Sequence, residues 1–170
     1  MPLRVREATP EDAEAIVTVT AEGWRVGYRG IVAPERLADL PIERWRHEVG
    51  VGLRRPIGDA FTRVAEIDDD FAGYCYVAAP AREAEPGART AELVAMYVAS
   101  AHWRHGVGTA LMDAALDRLA ELPYDGAFLW TFKENDRAIG FYERHGWRRD
   151  GAEKVHPRAQ AVAVRFRRPL

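Results

Sequence analysis

The sequence predicts an α/β fold, organised as a single α+β domain around a mixed sheet, and three observations indicate it. Seven short apolar or alternating segments are typical of strands. Amphipathic segments that open with proline or capping residues flank them and are typical of helices. The 170 residues fit one domain and contain neither a linker nor an internal repeat. We therefore expect one domain over residues 1–170, with about seven strands and about four helices.

The N-terminal third is predicted to be one strand followed mainly by helices. "LRVREA" alternates apolar and polar residues, and the helix after it has Thr9 as its cap and Pro10 at its first position. Two short helices are predicted to open at Pro34 and Pro41. The segment between the first two helices, "GWRVGYRGIV", is aromatic, basic and broken by glycines.

The middle of the chain is predicted to be a hairpin followed by a loop. "FTRVAEID" and "FAGYCYVAA" are typical of strands, and Asp68 to Asp70 between them suit a tight turn. Cys75, the single cysteine, is expected to be a buried thiol, and no disulfide can form within the chain. The polar segment "PAREAEPGART" is predicted to be a loop.

The C-terminal half alternates strands and helices. "AELVAMYV" is predicted to be a buried strand that leads through "RHGVG" into a helix beginning near Gly106 and ending before Pro123. Its apolar stripe consists of Val107, Leu111, Ala115 and Leu119. "GAFLWTF" is the next strand, a helix runs from about Asn135 to His145, and "WRRDG" and "AVAVRFRR" are the closing strands.

Composition and charge argue against several classes of function. The net charge of −2 gives no general attraction to nucleic acid. No segment approaches the roughly 18 consecutive apolar residues of a membrane span, and the N-terminus lacks the pattern of a secretory signal, so a cytoplasmic location is expected. His102 and His105 have metal-ligand spacing but no evident third ligand, so we expect no metal site.

The turn before the long helix suits an anion. The first amides of a helix have no partners within it, and the glycines at 106 and 108 leave them accessible. No Lys-Ser/Thr pair follows, and Leu111 stands where a dinucleotide fingerprint needs a small residue. A phosphate site and a tight turn made only for helix packing both remain open on this evidence alone.

Three segments together resemble the GNAT superfamily of acetyl-CoA-dependent N-acetyltransferases: "ELVAMYV", "HWRHGVGTALM" and "NDRAIGFYERHGW". The resemblance is strongest over residues 91–147. It implies a GNAT fold with a mostly antiparallel sheet, acetyl-CoA as cosubstrate, an amine as acceptor and direct transfer in a ternary complex. Homodimers are frequent in the superfamily, so a homodimer is possible.

The resemblance also implies the residues that bind acetyl-CoA. The backbone amides of residues 105–109 would hold the diphosphate, and the strand before them would bind the pantetheine arm and thioester carbonyl. Trp103 stands where the superfamily has Gln or Arg, and Arg104 is expected to replace that contact. The implied set is Met96, Tyr97, Val98, Trp103, Arg104, His105, Gly106, Val107, Gly108, Thr109, Asn135 and Tyr142. Helix capping explains Asn135 equally well.

Two residues are implied to be catalytic. Glu92 precedes Gly106 by 14 residues, the offset of the general base in histone-type members, although a structural glutamate that pairs with an arginine is the alternative. Tyr142 matches the tyrosine that protonates the departing thiolate, although it could be a core aromatic residue.

The acceptor is expected to bind between "GWRVGYRGIV" and the loop at 80–90. Trp24, Tyr28 and Arg29 are the candidates for its wall, and core packing is the alternative role for them. Two other functions stay open at this point. One is a non-catalytic acyl-CoA-binding regulator, and the other is transfer of a longer acyl group, which depends on the space near Leu93 and Met96.

Overall fold

A seven-stranded mixed sheet is the centre of the computed structural model, which describes residues 2–83 and 88–170. The strands are β1 (Leu3–Glu7), β2 (Phe61–Ile67), β3 (Asp70–Ala78), β4 (Thr90–Val98), β5 (Gly126–Phe132), β6 (Arg148–Val155) and β7 (Val162–Pro169). Their order is β1-β2-β3-β4-β5-β7-β6, and among the described strands only β4 and β5 run parallel. The predicted mixed, mostly antiparallel sheet is confirmed.

Five helices surround the sheet within the described residues. They are α1 (Ala13–Glu22), α2 (Pro34–Ala38), α3 (Ile42–Arg54), α4 (Val107–Ala120) and α5 (Asp136–Arg144). α3 fills nearly all of "PIERWRHEVGVGLRR", the segment predicted to be helical from Pro41. The glycine-broken segment is also partly helical, because Gly23–Gly27 continues α1 as one wide turn.

Local sequence signals fix several of these elements. Asp68 and Asp69 both adopt positive φ, 50° and 67°, and so form the tight turn predicted between β2 and β3. The Asn135 side chain accepts a hydrogen bond from the amide of Ala138 and caps α5, as the capping interpretation requires. The helix predicted near Gly106 begins at Val107.

The sheet buries both of its faces. On one face α4 contributes Val107, Leu111, Met112, Ala115 and Leu119, all buried, to a core that it shares with β2, β3 and β5. On the opposite face Ile16 of α1 packs with Tyr74, and the partly buried Val49 of α3 lies against them. Cys75 is fully buried, and this burial raises the pKa of its thiol to about 12. No helix in the described part of the chain is long and apolar enough to cross a membrane.

Candidate active site

A cleft opens where β4 and β5 separate. The two strands are paired only along Thr90–Glu92 and Gly126–Phe128, while β4 stays paired with β3 as far as Val98. Residues 93–98 of β4 and 130–132 of β5 line the resulting cavity of about 860 Å³. Strands that separate in this way leave main-chain donors and acceptors without a sheet partner on the side of the cleft.

A β-bulge in β4 lies beside the cleft. Tyr76 of β3 pairs with Ala95, but the next residue of β3 pairs with Leu93, so Val94 is the extra residue of the bulge. As a result Leu93 and Met96 contribute to the same core, although regular alternation would place them on opposite faces. Bulges of this kind redirect backbone groups, and Val94 and Met96 both line the cleft.

The glycine turn forms one end of the cleft. Arg104 and Gly106 both adopt positive φ, 66° and 78°, and α4 begins directly afterwards. Space around Gly106 is open, since a Cβ added there would meet no heavy atom within 4 Å. The first amides of α4 point out of the helix without intrahelical partners. Arg104, Gly106, Val107, Gly108 and Thr109 line the cleft, whereas His105 is not one of its lining residues.

The guanidinium of Arg137 stacks on the ring of Trp103, a contact that was not predicted from the sequence. The Trp103 indole is fixed by a 2.8 Å hydrogen bond from its Nε1 to the carbonyl of Val98. The guanidinium of Arg137 lies 3.7 Å from the centre of the Trp103 ring, and both residues line the cleft. Among the described residues no carboxylate forms an ion pair with Arg137. Its position two residues after Asn135 was the available signal.

Glu92 is buried at the point where the strands separate. Its side chain is 3% exposed, and both of its oxygens accept hydrogen bonds from the half-exposed guanidinium of Arg82. The hydrogen bonds to Glu92 are the largest cause of a raised pKa at Arg82. The structure therefore places Glu92 in the cleft and gives it an arginine partner at the same time.

Tyr142 lines the same cleft from α5. Its ring packs against Phe141, Trp147 and Phe166, with ring centres 5.5 to 6.4 Å apart. Burial is the largest cause of a pKa above the ordinary value at the Tyr142 phenol, and nearby Tyr97 adds to it. The hydroxyl therefore stays protonated over the whole neutral pH range and can donate a hydrogen bond or transfer a proton.

An aromatic cluster walls the cleft on the side of α1. Tyr28 meets Phe132 edge to face at 4.8 Å and Trp24 at 5.2 Å, and its hydroxyl is 3.1 Å from that of Tyr97. The side chain of Tyr97 thus belongs to this wall, although only its main chain was expected to contribute. Trp24 and Tyr28 line the cleft, but Arg29 is exposed and does not. Of the predicted loop at 80–90, residues 84–87 lie outside the described residues.

Two further side chains complete this wall. His156 packs against Trp24 at 5.6 Å, and its Nδ1 accepts a hydrogen bond from the amide of Ala159. Burial is the largest cause of a lowered pKa at His156. Lys154 lies 4.2 Å from the centre of the Trp130 ring and binds both oxygens of Glu83 at 3.1 and 3.3 Å. The wall therefore combines aromatic surface with the neutral imidazole of His156 and the Lys154–Glu83 ion pair.

Comparison with known proteins gives the family. A model of the acetyltransferase (GNAT) family matches residues 22–147. The chain belongs to the GNAT acetyltransferases. It is 27% identical over 153 residues to a probable N-acetyltransferase of Mycobacterium tuberculosis, a match that covers 88% of this chain and 82% of that protein. It is also 35% identical over 86 residues to mycothiol acetyltransferase of Sanguibacter keddieii, covering 51% of this chain but only 27% of the relative.

Solved structures share the GNAT fold along nearly the whole chain. The PaiA N-acetyltransferase of Thermoplasma acidophilum, in complex with coenzyme A, has a TM-score of 0.77 at 18% identity and covers 97% of this chain and 98% of its own. A GCN5-related N-acetyltransferase from Kribbella flavida has a TM-score of 0.76 at 24% identity, covering 99% and 98%. Within the described part of this acetyltransferase, no group of three or more His, Cys, Asp or Glu is placed to hold a metal ion.

Proposed function

We propose that this acetyltransferase moves an acetyl group from acetyl-CoA directly to an amine, with both substrates bound in the cleft between β4 and β5. One observation carries the proposal: a glycine turn with open helix amides, a buried carboxylate and a protonated phenol all line the same 860 Å³ cleft. Such a cleft can hold a thioester along β4 and admit a nucleophile from the aromatic wall.

The diphosphate would bind at the glycine turn. The unpaired amides of residues 105–109 and the open space at Gly106 suit an anion. Arg137 supports the same assignment, because this cation, which has no acidic partner in the described part of the chain, lies on Trp103 beside the turn. We therefore assign to Arg137 the contact that the sequence suggested for Arg104. Main-chain groups of Met96, Tyr97 and Val98 would bind the pantetheine arm and polarise the thioester carbonyl.

Glu92 would take the proton from the amine. A carboxylate has about four lone-pair directions, and Arg82 occupies three of those on Glu92 with its Nη2, its Nε and its backbone amide. The direction that remains, on Oε1, can accept a hydrogen bond from the amine or from one ordered water. Glu92 first takes one proton from the ammonium form and passes it to solvent. The neutral amine then attacks the acetyl carbon to form the C–N bond, and the second N–H proton passes to Glu92 as the amide forms.

Tyr142 would protonate the departing sulfur. When the C–S bond breaks, the phenol supplies the proton that the thiolate needs, and solvent restores it afterwards. A thiol has an ordinary pKa of about 8.5 and is already a tolerable leaving group, so this donation accelerates the reaction without being indispensable.

Thiol release from acetyl-CoA across a library of amines tests the proposal. Release that depends on an amine, with a matching acetylated product in the mass spectrum, is the expected result. Tight binding of acetyl-CoA without release from any amine would instead favour a non-catalytic acyl-CoA-binding regulator. Competition between acetyl-CoA and longer acyl thioesters tests the acyl preference, which depends on the space beside Leu93 and Met96.

A further inference from the structure

Both carboxylates that line the described part of the cleft are engaged in ion pairs. Among the lining residues that the structure describes, only Glu83 and Glu92 are acidic. Glu92 is held by Arg82, and Glu83 is held by Lys154 through both of its oxygens. The two pairs sum to zero charge, so the described residues at this end of the cleft leave no acidic group free to receive an ammonium ion.

Apart from the guanidinium of Arg137, which reaches Gly27, the rest of the described acceptor side is aromatic and uncharged. Trp24, Tyr28 and Phe132 pack edge to face with centres 4.8 to 6.3 Å apart, and His156 joins them. His156 adds no charge there, because its Nδ1 accepts from a backbone amide and burial lowers the pKa of its ring. A second ammonium group placed against this wall would lose part of its hydration and would meet ring surface but no free carboxylate among the described residues, so a cation–π contact is the only compensation there.

We propose that the acceptor is a monoamine on an aromatic or other apolar body, and that the Lys154–Glu83 pair excludes acceptors with a second ammonium group. This inference rests on the proposed function, amine acetylation in the same cleft. One ammonium group is tolerated because it is the reacting amine, which gives up a proton beside Glu92. Diamines and polyamines would need a second carboxylate, and Lys154 keeps Glu83 from serving as one.

The two lysines of the chain make a matched test. Both form an ion pair with a glutamate, Lys154 with Glu83 and Lys133 with Glu153, but only Lys154 lines the cleft. The test compares kcat/KM, by thiol release, for pentylamine and 1,5-diaminopentane, which differ only by the second amine. Phenethylamine serves as the aromatic monoamine.

The wild-type protein should prefer pentylamine to 1,5-diaminopentane by about fivefold or more, as expected for one unfavourable charge at a partly exposed site. Lys154→Met should free Glu83 and lower the ratio of kcat/KM for pentylamine to that for 1,5-diaminopentane by about fivefold. Lys154→Arg, which keeps the charge, and Lys133→Met should leave the ratio unchanged. The double variant Lys154→Met, Glu83→Gln should lose the improved use of 1,5-diaminopentane and return to the wild-type ratio. That result would show that Glu83 receives the second ammonium group.

Each other outcome overturns a defined part of the proposal. Equal or better use of 1,5-diaminopentane by the wild type overturns the inference on the acceptor while leaving amine acetylation intact. An unchanged ratio in Lys154→Met, with an unaltered unfolding midpoint, overturns the role of Lys154. Binding of acetyl-CoA without release from any of the three amines counts against the proposed function itself.

Discussion

The guanidinium of Arg82 holds both carboxylate oxygens of Glu92, donating from Nη2 to Oε1 at 2.8 Å and from Nε to Oε2 at 3.1 Å. The pair fixes the Glu92 carboxylate where β4 and β5 separate, with one oxygen still able to accept from a substrate. The same contact also fits the purely structural glutamate that the sequence left open. A kinetic experiment that varies pH distinguishes the two roles.

Glu92→Gln should lower kcat by about a hundredfold at neutral pH, since general-base catalysis contributes roughly that much or more. The loss should shrink as the pH rises toward about 10, because the amine then deprotonates without help. Thiol-release assays of kcat from pH 6 to 10 measure both the loss and its pH dependence. Glu66→Gln is the matched control, because Glu66 is also held by arginines but lies outside the cleft. A loss of equal size at every pH would make Glu92 structural.

Tyr142→Phe should lower kcat about tenfold while the KM for acetyl-CoA stays nearly the same, because only the proton to the leaving thiolate is lost. Wild-type kcat should not fall as the pH approaches 10, since burial raises the pKa of the Tyr142 phenol above its ordinary value. Tyr74→Phe is the control: Tyr74 is a buried tyrosine whose hydroxyl is bonded to that of Thr20, but it does not line the cleft. Unchanged kinetics in Tyr142→Phe would leave this tyrosine as a core residue.

The fold could be predicted from the sequence because its signals are local. Asp68 and Asp69 at a hairpin turn, Asn135 as a cap and the glycines before α4 each act within a few residues of their own position. Hydrophobic periodicity and turn residues therefore located all seven strands and indicated a mixed sheet, and the resemblance to the GNAT superfamily implied that most of its pairs are antiparallel.

The site could be predicted only in part, because its remaining features depend on contacts that are distant in sequence. The stacking of Arg137 on Trp103 and the bond between Lys154 and Glu83 join segments 34 and 71 residues apart. Periodicity carries no information about such pairs. The same limit explains the different position of Arg29. The sequence placed it in the acceptor wall beside Tyr28, whereas in the structure it is exposed outside the cleft.

Gly106→Ala should weaken acetyl-CoA binding about tenfold or more, as judged by calorimetry. The added methyl group enters the open space over the helix amides, and the positive φ of 78° strains any residue with a Cβ. Gly151→Ala is a close control for the strain, because Gly151 has φ 91° and equally open space but lies on β6 outside the cleft. Both variants should lose about 1 kcal/mol of stability, and only Gly106→Ala should lose affinity. Equal affinities in the two would contradict the diphosphate site.

Arg137→Ala should raise the KM for acetyl-CoA about fivefold with little change in kcat, because a phosphate contact is made equally in the ground and transition states. The effect should fall as salt increases, since Arg137 is exposed. Arg149→Ala is the control, because Arg149 also lies over an aromatic ring, that of Phe166, but outside the cleft. An undiminished affinity for acetyl-CoA in Arg137→Ala would return the contact to Arg104.

Acid should destabilise the protein through a cluster far from the cleft. Arg6 donates to Asp12 and Glu66, and these hydrogen bonds are the largest cause of lowered pKa values at both carboxyl groups. Because the unfolded chain binds these protons more readily, the stabilisation is complete above the unfolded values of 3.8 and 4.5 and is lost as the pH falls through the lower folded ones. Arg6→Met should therefore lower the free energy of unfolding by about 2 kcal/mol at pH 7.

The deficit of Arg6→Met should shrink as the pH falls below about 4, because protonated carboxyl groups no longer need the guanidinium. Urea unfolding of both proteins at pH 7, 5 and 3 measures it. Arg44→Met removes an ion pair whose partners, Arg44 and Glu48, are 73% and 52% exposed, so it should leave stability nearly unchanged at every pH. If the Arg6 deficit were the same at pH 3 as at pH 7, packing of the arginine stem rather than its charge would hold β1 to β2 and α1.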